Sequence, residues 1–264
     1  MLSAIRNSDS KKVIGQMIEK NPNENYYCEK CSEELIHHKS KSGIRIGHFK
    51  HRKSDCSNYK PMSFEHLEIQ FQIFEHISEN YKSVKSIETE KWLGDNSIRA
   101  DVYIETKKGT KIGIEVQSSS ISFDEISRRT QSYARNNIYV FWIIPYDDSR
   151  FIDIDEDDEY NFNKKIKLKA YERFLYWSNV KALYLWDLDG KGGSGFIKMV
   201  LSNYCVPQDD YYDEYGNIQS APDRVTKTFK MIDDIIEVEF SDFQPKVIGE
   251  FTPKKIPLRK ILIT

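Results

Sequence analysis

Two acidic residues on neighbouring apolar runs are the part of this sequence best suited to chemistry. Asp101 lies in IRADVYI and Glu115 in KIGIEVQ, and the turn sequence KKGT lies between them. Apolar and polar residues alternate in each run, which predicts the two strands of a hairpin. In an antiparallel hairpin Asp101, Glu115 and Gln117 converge on one edge. Two carboxylates and a backbone carbonyl suit Mg²⁺ or Mn²⁺, with positions left for water and a phosphate oxygen.

The same alternation has a second explanation that needs no metal. One face of an antiparallel hairpin commonly meets solvent, so polar residues at every second position are expected in any case. Both interpretations fit the spacing of Asp101 and Glu115. The elements around the hairpin must distinguish them.

The flanking segments predict a small α/β unit that holds the hairpin in place. Ser63 and Ser122 are suited to cap two helices, and the apolar run IYVFWII is typical of a strand covered on both sides. A core over 61–146 is therefore expected. In chain order its predicted elements are a helix over 63–79, strands over 84–92, 98–104 and 110–117, a helix over 122–135 and a strand over 138–144.

A cluster of cysteine and histidine residues lies in the module expected over 26–60, which is poor in large aliphatic residues. Cysteines two residues apart can place both sulfurs on one zinc ion, and a second pair of ligands completes a tetrahedron. The spacing leaves two sets open for the second pair, either His51 with Cys56 or His48 with His51. Chance clustering in a basic loop is the alternative to a zinc site. The five candidate ligands are Cys28, Cys31, His48, His51 and Cys56.

This module is also the best candidate for contacting phosphate groups. Between Ile36 and Ser54 there are six lysine or arginine residues and no acidic residue. Lys50, Arg52 and Lys53 are therefore expected to contact nucleic acid. The alternative is a structural appendage, held by its metal, with an ordinary basic surface.

The composition limits the possible functions. The chain has 264 residues, with 39 basic and 41 acidic side chains, so a nucleic-acid partner must be held by a local patch and not by net charge. Its N-terminus has no apolar core of signal-peptide length, and no segment reaches the roughly 18 apolar residues of a membrane span. Four cysteines are too few for a disulfide scaffold. A cytoplasmic protein without a membrane partner is expected.

The two ends of the chain carry weaker signals. Residues 1–25 are expected to form an arm or a short first strand. A C-terminal extension over 147–264 is predicted to contain a helix near 162–178, a strand near 181–188 and further strands. The acidic run DIDEDDE at 153–159 is typical of a solvated loop.

Five short motifs together resemble the competence protein CoiA family, a branch of the PD-(D/E)XK nuclease superfamily. The resemblance extends from about Tyr27 to Pro145. It implies an α/β fold with a restriction-endonuclease-like mixed sheet flanked by helices, next to the zinc-binding module and the C-terminal extension. The motifs are SFEH (63–66), RADV (99–102), IGIEVQSSSIS (112–122), RRTQSY (128–133) and VFWII (140–144).

The resemblance implies roles for the residues of the hairpin and of the first helix. Asp101 and Glu115 would bind the metal. Gln117 stands where the superfamily usually has a lysine, and it could position water only by hydrogen bonding because it carries no charge. Glu65 matches an acidic residue that helps to hold the metal or its water. His66 matches the histidine beside it, although a histidine on a helix is commonly an ordinary surface residue.

Further implied roles concern the second helix and the zinc ligands. Arg129 and Tyr133 lie on one helical face and resemble a pair that contacts the scissile strand. For Tyr133 the alternative is packing in the core. Among the zinc ligands, the resemblance favours His48 together with His51.

The expected function is therefore a Mg²⁺- or Mn²⁺-dependent nuclease that cleaves DNA and carries a structural Zn²⁺ ion. Two alternatives remain from the sequence. One is a DNA-binding or processing accessory of competence or recombination in which the ExQ site does not cut. The other is an RNA-binding zinc protein.

Overall fold

Most of the chain is described by a computed structural model. No helix in the described ranges combines the length and apolar character needed to cross a membrane. The described residues are 1–40, 45–52, 56, 62–94, 98–154, 164–188, 195–206, 208–248 and 259–263.

The N-terminal part of the chain forms a five-stranded antiparallel sheet around its own small core. The segment expected to form an arm contributes two of these strands, and Leu35 and Phe49 fill the core between the sheet and the cysteines. The sheet order is β2-β1-β3-β4-β5. The strands are β1 (Ser3–Arg6), β2 (Lys12–Ile14), β3 (Tyr26–Tyr27), β4 (Glu34–His38) and β5 (His48–His51).

The central part confirms the predicted order of helix, three strands, helix and strand. Ser63 and Ser122 cap the two helices, accepting hydrogen bonds from the backbone N–H groups of His66 at 3.1 Å and Glu125 at 3.2 Å. Both helices therefore begin where the capping residues predict. The elements are α1 (Phe64–Asn80), β6 (Val84–Leu93), β7 (Ile98–Thr106), β8 (Lys111–Val116), α2 (Phe123–Arg135) and β9 (Tyr139–Pro145).

The C-terminal part extends the same sheet. Strand β9 is parallel to β8 on one side and to β12 and β18 on the other, which completes a mixed sheet with a continuous apolar core. The elements are β10 (Phe151–Asp153), β11 (Lys164–Lys167), α3 (Ala170–Ser178), β12 (Ala182–Trp186), β13 (Phe196–Val206), β14 (Tyr211–Tyr212), β15 (Ile218–Gln219), β16 (Arg224–Glu237), β17 (Gln244–Ile248) and β18 (Arg259–Ile263).

The prediction of a helix over 162–178 is wrong for the first half of that range. Lys164–Lys167 is a strand, in which Ile166 is buried against the core, and the helix begins only at Ala170. Its start is fixed by Glu172, whose carboxylate accepts the backbone N–H of Lys169 at 2.7 Å. The strand predicted near 181–188 is confirmed as β12. Within the acidic run, residues 155–159 lie outside the described residues.

The hairpin of β7 and β8 is buried on both faces. Helix α1 packs against both of its strands, and α2 packs against β7 and β9. Val102 and Ile114 are completely buried, and the polar face carries the buried side chains of Asp101, Tyr103 and Glu115. Solvent exposure therefore does not explain Asp101 and Glu115.

Strand β8 and helix α2 approach closely at a glycine. A Cβ atom at Gly113 would lie well inside van der Waals contact with the ring of Tyr133. The missing side chain lets the Tyr133 ring lie on the strand, with its hydroxyl beside Glu115.

Gly113→Ala is expected to lower the free energy of unfolding by about 1–3 kcal/mol, because the Tyr133 ring or β8 must shift to admit the methyl group. Urea denaturation followed by circular dichroism measures the change. Lys111→Ala, at an exposed position of the same strand, is the matched control and should change the value by less than about 0.5 kcal/mol. Equal stability of the two variants would contradict the tight contact.

Candidate active site and zinc centre

The candidate active site lies where β7 and β8 separate. Their antiparallel pairing ends at Val102 opposite Ile114, and the next residues on the two strands are Asp101 and Glu115. Because side chains alternate along a strand, these two point to the same face. Beyond this point β7 pairs only with β6 and β8 only with β9. The gap between the strands brings the two carboxylates together.

Asp101 is held by groups from the sheet and from α1. Its Oδ2 accepts the backbone N–H of Val116 at 2.9 Å, and its Oδ1 lies 3.4 Å from Nε2 of His66. The side chain of Gln70 donates to its backbone carbonyl at 2.7 Å. Burial raises the pKa of Asp101, but His66, Arg129 and the Val116 N–H outweigh it, so the pKa lies below its usual range.

Glu115 is almost completely enclosed by α2. One carboxylate oxygen accepts the hydroxyl of Tyr133 and the other pairs with the guanidinium of Arg129, both at short range. Burial raises the pKa of Glu115 to about 7, and Asp101 adds to the rise while Arg129 and Tyr133 oppose it. Desolvation and the neighbouring carboxylate therefore outweigh the two partners of Glu115.

Arg129 and Tyr133 were expected to contact a substrate strand, and both contact Glu115 instead. Arg129 also donates to the carbonyl of Arg99 at 3.3 Å. Tyr133 is fully buried, so packing in the core explains its ring and the hydrogen bond to Glu115 explains its hydroxyl. Arg129 also lines the cleft, and its side chain is 23 % exposed.

A cleft of about 540 Å³ opens above Asp101, while Glu115, which is 1 % exposed, does not line it. Asp101, Gln117 and His66 line it, together with the serine-rich loop that follows β8. The amide nitrogen of Gln117 donates to the carbonyl of Ser119 at 2.6 Å, which fixes the direction of its side chain. Glu65 does not line this cleft. It is exposed in a neighbouring cleft that also includes Ser118.

The donor set around the gap fits Mg²⁺ or Mn²⁺. Asp101 and Glu115 supply carboxylate oxygens, and both cations prefer oxygen ligands. His66 is the side chain of α1 that reaches this site. Burial lowers the pKa of His66, but the interaction with Asp101 raises it overall. Asp101 therefore favours the charged form of the imidazole.

One buried charge beside the site was not found from the sequence. Glu90, on β6, is 2 % exposed and lies 3.6 Å from Arg99, while its other oxygen accepts the backbone N–H of Ser3 at 2.8 Å. It adopts a left-handed backbone conformation with φ of 51°, which is uncommon for a residue with a side chain. A glutamate in a predicted strand carries no signal of such a role.

Four of the five candidate zinc ligands lie together in the structure. Ligand atoms of Cys28, Cys31, His51 and Cys56 all lie within 4.8 Å of one another. His48 lies outside this group and contacts the carbonyl of Ile46 at 2.9 Å. The expectation of His48 as a ligand is corrected by strand periodicity, because residues three apart on β5 point to opposite faces.

The chemistry of this cluster fits a structural zinc ion. Three cysteines and one histidine form a tetrahedral donor set that zinc prefers. Burial raises the pKa of the Cys31 thiol to about 12, and the nearby sulfurs of Cys28 and Cys56 add to the rise. Three thiols crowded in this way need a cation to become thiolates, and zinc supplies that charge.

The three residues predicted to contact phosphate groups lie in different surroundings. Lys50 is exposed on β5, and Arg52 is exposed and pairs with Glu34 at 3.2 Å. Lys53 lies outside the described residues. Arg128, on α2, forms a bidentate pair with Glu125.

One family model matches the part of the chain that carries the carboxylates. Residues 62–184 match the model described as competence protein CoiA, nuclease-like domain. This segment is therefore similar to the CoiA nuclease-like domain family. It starts just before α1 and ends in β12, which is consistent with the PD-(D/E)XK placement. No curated protein and no solved structure matches the chain.

Purified protein is expected to contain one zinc ion per chain, measured by mass spectrometry of the metal. Cys31→Ser and His51→Ala should lose it and unfold at lower temperature, since a structural zinc site supplies folding energy. Two variants serve as controls. His48→Ala and Cys205→Ser, both outside the cluster, should keep a full equivalent. Loss of zinc in His48→Ala with retention in His51→Ala would overturn the ligand assignment.

Proposed function

We propose that the chain is a metal-dependent nuclease that hydrolyses phosphodiester bonds of DNA. The observation that carries the proposal is the pair of buried carboxylates, Asp101 and Glu115, at the separation of β7 and β8. Asp101 lines a cleft in the segment that matches the CoiA nuclease-like domain, and Arg129, which pairs with Glu115, lines the same cleft. A pair of buried acids in a cleft is costly for stability alone, and this supports a functional reason for it.

Asp101 and Glu115 would hold Mg²⁺ or Mn²⁺. When bound, the cation makes water more acidic and offsets negative charge on the phosphate oxygens. His66 keeps Asp101 ionised and oriented. The guanidinium of Arg129 leaves Glu115 and contacts the phosphate of the substrate, since one carboxylate oxygen cannot serve both cations fully.

Gln117 positions the attacking water. Its amide nitrogen is committed to Ser119, and the amide carbonyl accepts a hydrogen bond from the water. A glutamine adds no positive charge to this step, so the rate depends on orientation more than in a site with lysine.

The zinc-binding module would act as the part of the protein that grips DNA. Lys50, Arg52 and Lys53 contact phosphates, and the protein works in the cytoplasm on DNA handled during competence or recombination. The C-terminal strands beyond β12 extend the sheet that supports the cleft.

A non-catalytic DNA-binding accessory is the second candidate. It is favoured by one observation, the pairing of Glu115 with both Arg129 and Tyr133. In that case the protein's own cation permanently neutralises the carboxylate, and DNA is bound without being cut.

Asp101→Asn and Glu115→Gln are expected to lower the cleavage rate at least about a hundredfold, because each removes a negative metal ligand. The measurement is cleavage of labelled single- and double-stranded DNA, with RNA for comparison, in Mg²⁺ or Mn²⁺. Glu105→Gln is the matched control. Glu105 lies on the same strand as Asp101, pairs with Lys85 outside the cleft, and should not affect the rate.

No cleavage by the wild-type protein on any substrate would favour the non-catalytic accessory. Equal rates for wild type and both carboxylate variants would place the active site elsewhere. Cleavage or binding of RNA alone would support the RNA-binding alternative.

Gln117→Leu is expected to lower the maximal rate about a hundredfold while leaving the KM nearly unchanged, because it removes the group that orients water. Gln117→Lys restores or exceeds the wild-type rate if a charged donor serves the same water. Single-turnover kinetics measure both. A large rise in KM without loss of maximal rate would show that Gln117 binds substrate instead.

A further inference from the structure

A second pocket, here called the basic pocket, lies on the opposite side of the N-terminus of α1. It encloses about 450 Å³, and no described acidic residue lines it. Its strands come from the zinc-binding module, and its floor includes the first residue of α1. The residues used below are Lys20, Lys39, Arg45, His48, Lys50 and Phe64.

Positive charge dominates the basic pocket. Lys39 is engaged with the carbonyl of Ile18 and the carboxylate of Glu19. Lys20, Arg45 and Lys50 are exposed, and none of them forms an ion pair within the described ranges. Three uncompensated cations around one concavity attract phosphate groups.

An aromatic ring lies beside these cations. Phe64, the first residue of α1, is 43 % exposed. The guanidinium of Arg45 lies 5.0 Å from the centre of its ring, and His48 meets the ring edge to face at 5.4 Å. The ring of Phe64 is thus packed on one side and open on another, and a nucleobase can stack on such a ring.

His48 adds an unsatisfied polar atom to the wall of this pocket. The side chain is 6 % exposed, its Nδ1 contacts the carbonyl of Ile46, and its Nε2 has no partner among the described residues. A buried nitrogen without a partner is rare in folded proteins and commonly marks the place of a bound group.

The basic pocket is adjacent to the candidate active site. Phe64 lies two residues before His66, whose ring contacts Asp101. On the same helical turn Ser63 lies 3.5 Å from Ser118 of the cleft. A strand that leaves the basic pocket therefore needs to cross only the first turn of α1 to reach the carboxylates.

We propose that the basic pocket is a subsite for a single-stranded segment of nucleic acid, in which a base stacks on Phe64 while Lys20, Arg45 and Lys50 contact the adjoining phosphates. A base within a duplex is covered by its neighbours and has no free face for Phe64, so an unpaired segment fits best. The subsite rests on the proposed function in one respect, namely that it leads the strand into the cleft.

Binding is measured by fluorescence anisotropy with a labelled twelve-nucleotide single strand, as DNA and as RNA, and with the matching duplex. All proteins carry Asp101→Asn, which slows cleavage so that binding can be measured. Phe64→Ala is expected to weaken single-strand binding about tenfold and duplex binding by less than about twofold, because stacking is lost only where a base is unpaired. Phe64→Trp should restore the affinity. The two single strands identify whether DNA or RNA is preferred.

Phe123→Ala is the matched control. Phe123 is likewise the first residue of a capped helix and 55 % exposed, but it packs on Phe174 and lies outside both pockets. It should leave the dissociation constant unchanged. Arg45→Ala and Lys50→Ala should each reduce the slope of log affinity against log salt by about 0.7. Zinc content is measured for Lys50→Ala because Lys50 adjoins His51.

Unchanged single-strand affinity in Phe64→Ala, or an equal loss in Phe123→Ala, would overturn the subsite. An unchanged salt slope in both Arg45→Ala and Lys50→Ala would do the same. Binding as predicted by a protein whose wild type never cleaves would leave the subsite intact and remove the nuclease proposal, so the two failures are distinguishable.

Discussion

The structure depends most on the neutralisation of two carboxylates that the sheet buries side by side. Removing an ion from water costs several kcal/mol unless partners replace the water. Asp101 and Glu115 obtain those partners from different elements: His66 from α1, Arg129 and Tyr133 from α2, and the backbone N–H of Val116 from the sheet itself. The helices are thus required to lie where their polar residues meet the gap between β7 and β8. The same placement of the helices covers the sheet and supplies the polar partners of the two carboxylates.

This dependence places a basic side chain on the more deeply buried carboxylate. Arg129 pairs with one oxygen of Glu115 and also lines the cleft. Burial and Asp101 raise the pKa of Glu115 in spite of this pairing. A contact of Arg129 with a substrate phosphate, as proposed above, requires its guanidinium to leave Glu115. The same residue would then contribute both to the stability of the carboxylate pair and to substrate binding.

The sequence predicted the elements better than the contacts between them. Periodicity and the serine caps located α1, α2 and the hairpin because those signals are local. The first half of the helix predicted over 162–178 failed because pairing of Ile166 with its neighbours in the sheet decides that segment. Strand alternation could have separated His48 from His51, but only once HFKH was known to be a strand. The contact of Arg129 with Glu115 and the burial of Glu90 arise from tertiary placement, for which the residues themselves carry no pattern.

Glu90 links the N-terminal sheet to the central part of the chain. Its carboxylate accepts two hydrogen bonds from Ser3, in β1 of the N-terminal sheet, and pairs with Arg99 on β7. Lys12 donates to its backbone carbonyl at 3.1 Å. Burial raises the pKa of Glu90, but Arg99 and the N-terminal ammonium outweigh it and keep the pKa below its usual range. A charge buried between two sheets is satisfied in only one relative orientation, so the N-terminal sheet is held against β6. That orientation sets the basic pocket and the carboxylates on either side of the first turn of α1.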